Sequence, residues 1–133
     1  MALWDNFAIG ALALVSEDNR RRIREFNGSD FSLQGFEIYA AIPLGNHFHE
    51  KKEETFVLTS GKGKLLTQNI LVDEDGARSV GDVREFILEA PMVIRVPRYV
   101  AHTFVLDPGS TMMCFSSAPF NPDDKDMQPF KLS

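Results

Sequence analysis

The sequence predicts an all-β protein, a sandwich or barrel in a single domain over residues 1–133, and two observations carry that expectation. Turn-forming clusters recur at short intervals: Asp18-Asn19, Asn27-Gly28-Ser29-Asp30, Pro43-Leu44-Gly45-Asn46, Ser60-Gly61-Lys62-Gly63, Asp73-Glu74-Asp75-Gly76 and Asp107-Pro108-Gly109-Ser110. Between them lie short runs that are apolar throughout or that alternate apolar with polar residues, the pattern of strands with one or two buried faces. A chain of 133 residues, 44% hydrophobic, is enough for one core and does not require a second.

Taken in order, the expected strands begin with residues 10–15, an apolar run after Gly10, and residues 22–26, where Ile23 lies between Arg22 and Arg24. The acidic pair Glu17-Asp18 ahead of Arg20 to Arg24 also suits the start of a short helix, but the strand pair is preferred. Residues 36–42 run from Phe36 to Ile42 and stop at Pro43. Short strands follow over 47–49, 55–58, 64–71, 84–88, 92–96, 102–106 and 112–116. The barrel occupies about residues 35–118. The tail, 119–133, holds three prolines and the acids Asp123, Asp124 and Asp126, so irregular chain along the surface is expected there.

Charge narrows the function. A formal net charge of −5 and a pI near 5.1 argue against a nucleic-acid or anionic-membrane partner, which calls for a basic face. The one dense basic run, Arg20-Arg21-Arg22, is expected to be a solvated hairpin face, with a phosphate anchor as the functional alternative. Cys114 stands alone in an apolar run, so a buried, inert thiol is expected. The chain has no apolar stretch of spanning length and no secretory pattern at Met1-Ala2-Leu3-Trp4-Asp5, from which a cytoplasmic protein is expected.

All three histidines sit in two short stretches, Gly45-Asn46-His47-Phe48-His49 and Val96-Pro97-Arg98-Tyr99-Val100-Ala101-His102. Residues two apart on a strand share a face, so His47 and His49 present their imidazoles together while Phe48 turns away. Glu54 has the parity of Phe56 and Leu58 and is expected to face inward. Glu53 takes its place if the intervening loop is one residue shorter. With His102 these make a ligand set suited to a divalent metal ion, zinc, iron, nickel, copper or manganese. Phe56 and Phe104 share the ligand parity and are expected to line the pocket.

The ordered pattern, His47-x-His49, Glu54 after four intervening residues, Gly61 beyond it, and later Pro97 with His102, resembles the two motifs of the cupin superfamily over about residues 45–104. That resemblance implies a jelly-roll (double-stranded β-helix) barrel of two facing sheets with the metal held by His47, His49, Glu54 and His102. Tyr99 stands where the second motif usually has glycine, and Leu106 where it has asparagine. Within the superfamily the closer likeness is to the C-terminal cupin domain of bacterial capsular-polysaccharide reductase/epimerases, carried by residues 45–63 and by Phe120-Asn121-Pro122-Asp123. Sugar 3,5-epimerases and 3,4-ketoisomerases open similarly, though they commonly carry an arginine where this chain has Leu44.

The resemblance implies a small-molecule substrate, a nucleotide-linked keto-sugar, and an epimerase or isomerase that transfers a proton next to a carbonyl. Catalytic candidates are His47, His102 and Tyr99, with Tyr39 on a preceding strand as another hydroxyl. Two other classes compete: an iron-dependent dioxygenase using the same ligand set, and a non-catalytic module that binds a small ligand. A homodimer through edge strands is expected.

Overall fold

The computed structural model describes residues 9–118 and 126–132. Two antiparallel sheets face each other. One has the order β1 (Ala13–Glu17), β2 (Arg21–Asn27), β3 (Ser32–Ile38), β10 (Thr111–Ser116), β5 (Glu54–Ser60) and β8 (Met92–Val96). The other runs β11 (Met127–Pro129), β4 (Leu44–His49), β9 (Val100–Leu106), β6 (Lys62–Val72) and β7 (Arg78–Glu89). No helix occurs among the described residues.

The period of two decides which side chains meet between the sheets. Along β5, Glu54, Phe56 and Leu58 are buried, and along β10 Met112, Cys114 and Ser116 are. They join Phe36, Leu65, Phe104 and Leu106 in the main core. β9 is buried on both faces because a second, smaller cluster covers its outer side: Phe48, Ile70 and Ala101, under Tyr99, Phe130 and Leu132.

Several boundaries differ from expectation, each for a hydrogen-bonding reason. The hairpin over residues 16–26 is a strand pair, β1 with β2, turned by Asp18, whose Oδ1 accepts from the Arg20 and Arg21 amides. β3 covers 32–38 rather than 36–42, since its partner β2 begins at Arg21 and the Tyr39 and Ala40 amides leave the ladder for Arg20 O. β7 extends back to Arg78 instead of Arg84. Asp73 Oδ1 ties the Asp75 and Ala77 amides into a tight turn, so the ladder with β6 runs on through polar, exposed residues. The tail is not wholly irregular: β11 pairs with β4, Met127 opposite His49 and Pro129 opposite His47. Residues 120–123, singled out for their likeness to a closing segment, lie outside the described residues.

A bulge in β4 sets the direction of the first histidine. Gly45 and Asn46 both have positive φ, 122° and 58°, and the register with β9 shifts between Gly45 and His47. Simple alternation would put Leu44 and His47 on opposite faces. The extra residue places both on the cavity side, and Asn46 is held there by mutual bonds with Thr103. A Cβ on Gly45 would stand 2.7 Å from His102 O, in backbone that glycine alone adopts easily. Gly45→Ala is therefore expected to cost about 2 kcal/mol. An unchanged urea midpoint would contradict this.

Candidate metal centre

Both sheets contribute to the cluster. His47 and His49 come from β4, His102 from the adjacent β9 directly opposite His47, and Glu54 from β5 across the barrel. Glu54 Oε1 lies 3.0 Å from His49 Nε2, 3.4 Å from His102 Nε2 and 4.0 Å from His47 Nε2. The donors of His47, His49 and Glu54 all fall within 4.8 Å of one another, and the His102 ring is 4.7 Å from that of His47. The contacts are close but not directed as hydrogen bonds. His49 Nε2, His102 Nε2 and Glu54 Oε1 are buried with no hydrogen-bond partner among the described residues. Buried polar atoms are normally satisfied, so two orphan imidazole nitrogens 3.0 and 3.4 Å from an orphan carboxylate oxygen fit a shared cation.

The far side of each ring explains its orientation. His102 Nδ1 lies 3.0 Å from Val100 O, which can only accept, so Nδ1 carries a proton and Nε2, facing the cluster, is the atom left to ligate. His49 Nδ1 lies 3.2 Å from Asp126 Oδ2, which imposes the same tautomer. Asp126 does more than this. Its Oδ1 accepts from the Glu50 and Lys51 amides and its Oδ2 from the Lys52 amide, so one buried carboxylate ties the β4–β5 turn to the tail. The sequence gives no hint of this role, because Asp126 sits in an acidic, proline-bearing stretch that resembles solvated chain.

Charge in the cluster is set by burial and by the neighbouring rings. Burial alone raises the Glu54 pKa, but the close approach of His102 and His49 outweighs it and holds the carboxyl well below its ordinary range. Burial, and then the positive form of His102, lowers His47 to about 4, so its ring is neutral at pH 7 and able to ligate. Cys114 is buried as expected, and its thiol donates to Glu54 Oε2 at 3.3 Å. Desolvation, then the Glu54 charge, pushes its pKa far up, so the group is a neutral support for the carboxylate.

His47, Glu54 and His102 of the cluster form one wall of a cavity of about 300 Å³, with Phe36, Leu44, Phe56 and Phe104 as apolar walls. Phe56 and Phe104 thus lie where their parity places them. A larger groove, about 500 Å³, runs between β7 and β8 and includes none of the cluster residues.

Three candidates go elsewhere. Glu53 lies on the surface in an ion pair with Arg95, which leaves the inward position to Glu54. Tyr39 is exposed and its hydroxyl donates to Glu17 Oε2 at 2.8 Å. Tyr99, expected beside the site, is not brought to it. Its φ of 60° turns the chain so that its ring stacks on Phe48, 6.2 Å between centroids, on the outer face of β4.

No family model and no curated protein sequence matches the chain. Its fold does match solved structures. Against CapF from Staphylococcus aureus, described as a capsular polysaccharide assembling protein, the TM-score is 0.70 at 19% identity, covering 96% of this chain and 34% of that one. Ectoine synthase from P. lautus gives 0.62 at 14% identity, covering 96% and 92%, and KdgF from Halomonas sp. gives 0.57 at 13%, covering 83% and 90%. The chain spans about a third of the CapF chain. At such identities the likeness is one of architecture, and with two antiparallel sheets closing over an interior histidine–glutamate cluster, this chain has the cupin fold.

Proposed function

We propose that the chain is a metal-dependent epimerase or isomerase that moves a proton next to the ketone of a nucleotide-linked keto-sugar, with a divalent metal held by His47, His49, Glu54 and His102. The observation that carries this is the set of unpaired donor atoms, of which Glu54 Oε1 and His102 Nε2 belong to residues lining a cavity with aromatic walls. The sugar assignment is supported by the likeness to CapF.

In this reaction a C–H bond beside the carbonyl breaks and the proton passes to a base while the electron pair moves toward the carbonyl oxygen; a proton returned to carbon by an acid forms the new C–H bond and restores a carbonyl. A bound divalent metal supplies Lewis acidity for that oxygen, worth several kcal/mol. The chain supplies the rest. Phe56 and Phe104 keep water from the reacting carbons, and Asp126 and Val100 O hold two imidazoles in the ligating tautomer. His49 and His102 are sealed, whereas the His47 side chain is 22% exposed and opens on the cavity. It therefore stands on the metal or against the substrate, and turnover depends on it in either position.

Incubation in heavy water with a 4-keto nucleotide sugar is expected to place deuterium on the carbon next to the ketone, and His47→Ala to abolish it. Elemental analysis of the purified protein accompanies this test. No exchange over a panel of keto-sugars, together with bound iron and oxygen uptake, would replace this function with a dioxygenase.

Metal removal has its own readout. A ligand that binds only the native state, at about a hundred times its dissociation constant, adds about 2.7 kcal/mol, or about 10 °C in melting temperature for a domain of this size. Chelation is expected to remove that increment. The increment also fades as the pH falls toward about 4, where the buried His47 imidazole protonates and competes with the metal. An unchanged melting temperature after verified metal removal counts against the site.

A further inference from the structure

Three consecutive arginines meet three different fates. Arg20 Nη2 pairs with Asp18 Oδ2 at 2.8 Å, and Arg22 bridges Glu17 and Glu37 at 2.6 and 3.3 Å. Arg21, between them, has the opposite parity on β2, shares its face with Ile23 and lines the cavity of the histidine–glutamate cluster. Among the described residues it makes no ion pair, and its Nε is buried without a hydrogen-bond partner. Burial, and then Arg20, weigh against its charge, Asp18 outside the cavity only partly offsets them, and a guanidinium stays protonated in proteins.

Nothing in the cavity balances that charge. Among the described lining residues the one acid is Glu54, and its oxygens face the imidazoles and the Cys114 thiol. Glu25 shares the inner face of β2 but lies four residues along, roughly 13 Å away, and is held by Gln34 Nε2 at 3.0 Å. A partly desolvated cation without a partner is costly to keep, and the cost is relieved when a ligand brings the counter-charge. A divalent ion on the cluster would make the same cavity still more positive. Leu44, where related sugar enzymes commonly carry an arginine, contributes no charge.

We propose that Arg21 is an anion-binding residue and that the cavity admits a small organic oxyanion, a phosphate ester or a carboxylate. Its charged group pairs with the Arg21 fork, and its remainder lies against Ile23, Phe36 and Phe104 toward His47. The proposal rests on the cavity being the ligand site, as in the function above, but not on turnover.

Calorimetric titration of the purified chain with glucose 1-phosphate, glucuronate and glucose tests it. At least one of the two anions is expected to bind tenfold or more tighter than glucose, with the advantage shrinking as salt is raised; which one does so separates phosphate from carboxylate. Arg21→Met is expected to weaken that anion about 10–100-fold, the worth of a charge-assisted bond, with metal content unchanged. Arg21→Lys should keep part of the preference, which a merely structural role would not produce. Failure of the wild type to bind either anion more tightly than glucose overturns the proposal. So does full anion affinity in Arg21→Met. Loss of deuterium exchange with anion binding intact would sink the proposed reaction and leave this site standing.

Discussion

His102→Ala is expected to emerge from purification without stoichiometric metal and without detectable proton exchange. His102 is 1% exposed, lies opposite His47 on the neighbouring strand and points its Nε2 at Glu54. Removing a supporting partner of a metal ligand typically costs 10–100-fold in affinity, and removing a ligand costs more. The substitution also empties a buried site among Phe56 and Phe104, which adds about 2–4 kcal/mol of destabilisation. His47→Ala separates these effects, because the His47 side chain is partly exposed and its truncation leaves a smaller hole. Both variants should lose metal, but only His102→Ala should melt well below the chelated wild type. Stoichiometric metal in either folded variant would remove that histidine from the ligand set.

Asp126→Ala is expected to lower metal affinity about 10–100-fold and stability by about 2–4 kcal/mol, although Asp126 is not a ligand. The carboxylate accepts from three successive amides, Glu50, Lys51 and Lys52, and meets His49 Nδ1. Its loss frees the His49 ring to adopt the other tautomer and unties the tail from the turn. Water can reach part of that turn, which keeps the cost below the sum of four charged bonds. Asp126→Asn retains an accepting oxygen and should recover part of the stability, about 1–2 kcal/mol, while metal affinity stays reduced for want of the negative charge. Equal metal affinity in all three proteins, measured by competition with a chelator of known strength, would show that His49 needs no such support.

Strand alternation made much of the barrel legible. The run Met92–Val96 appears as a strand with the expected ends, and Glu54, Phe56 and Leu58 face inward as their common parity requires. The same arithmetic sent Phe48 outward between His47 and His49. Edges that depend on partners were not legible: β7 extends through polar residues because β6 offers it backbone bonds, and β3 ends where β2 offers none. Hydrophobic pattern records burial, whereas a ladder needs only a neighbour's amides and carbonyls.

The division runs through the site as well. By itself the sequence determined the all-β class, the turn positions and His47, His49 and His102 as candidate ligands, with Glu54 or Glu53 beside them, because periodicity and short-range spacing reach that far. Tertiary structure decided that Glu54 and not Glu53 faces inward, that Tyr99 lies behind Phe48, and that Arg21 alone of three arginines enters the cavity. It also carried Asp126 across 77 positions in sequence to the back of His49. Such contacts are made by strand pairing between distant segments and by a one-residue bulge that reverses parity, neither of which leaves a local mark in the chain.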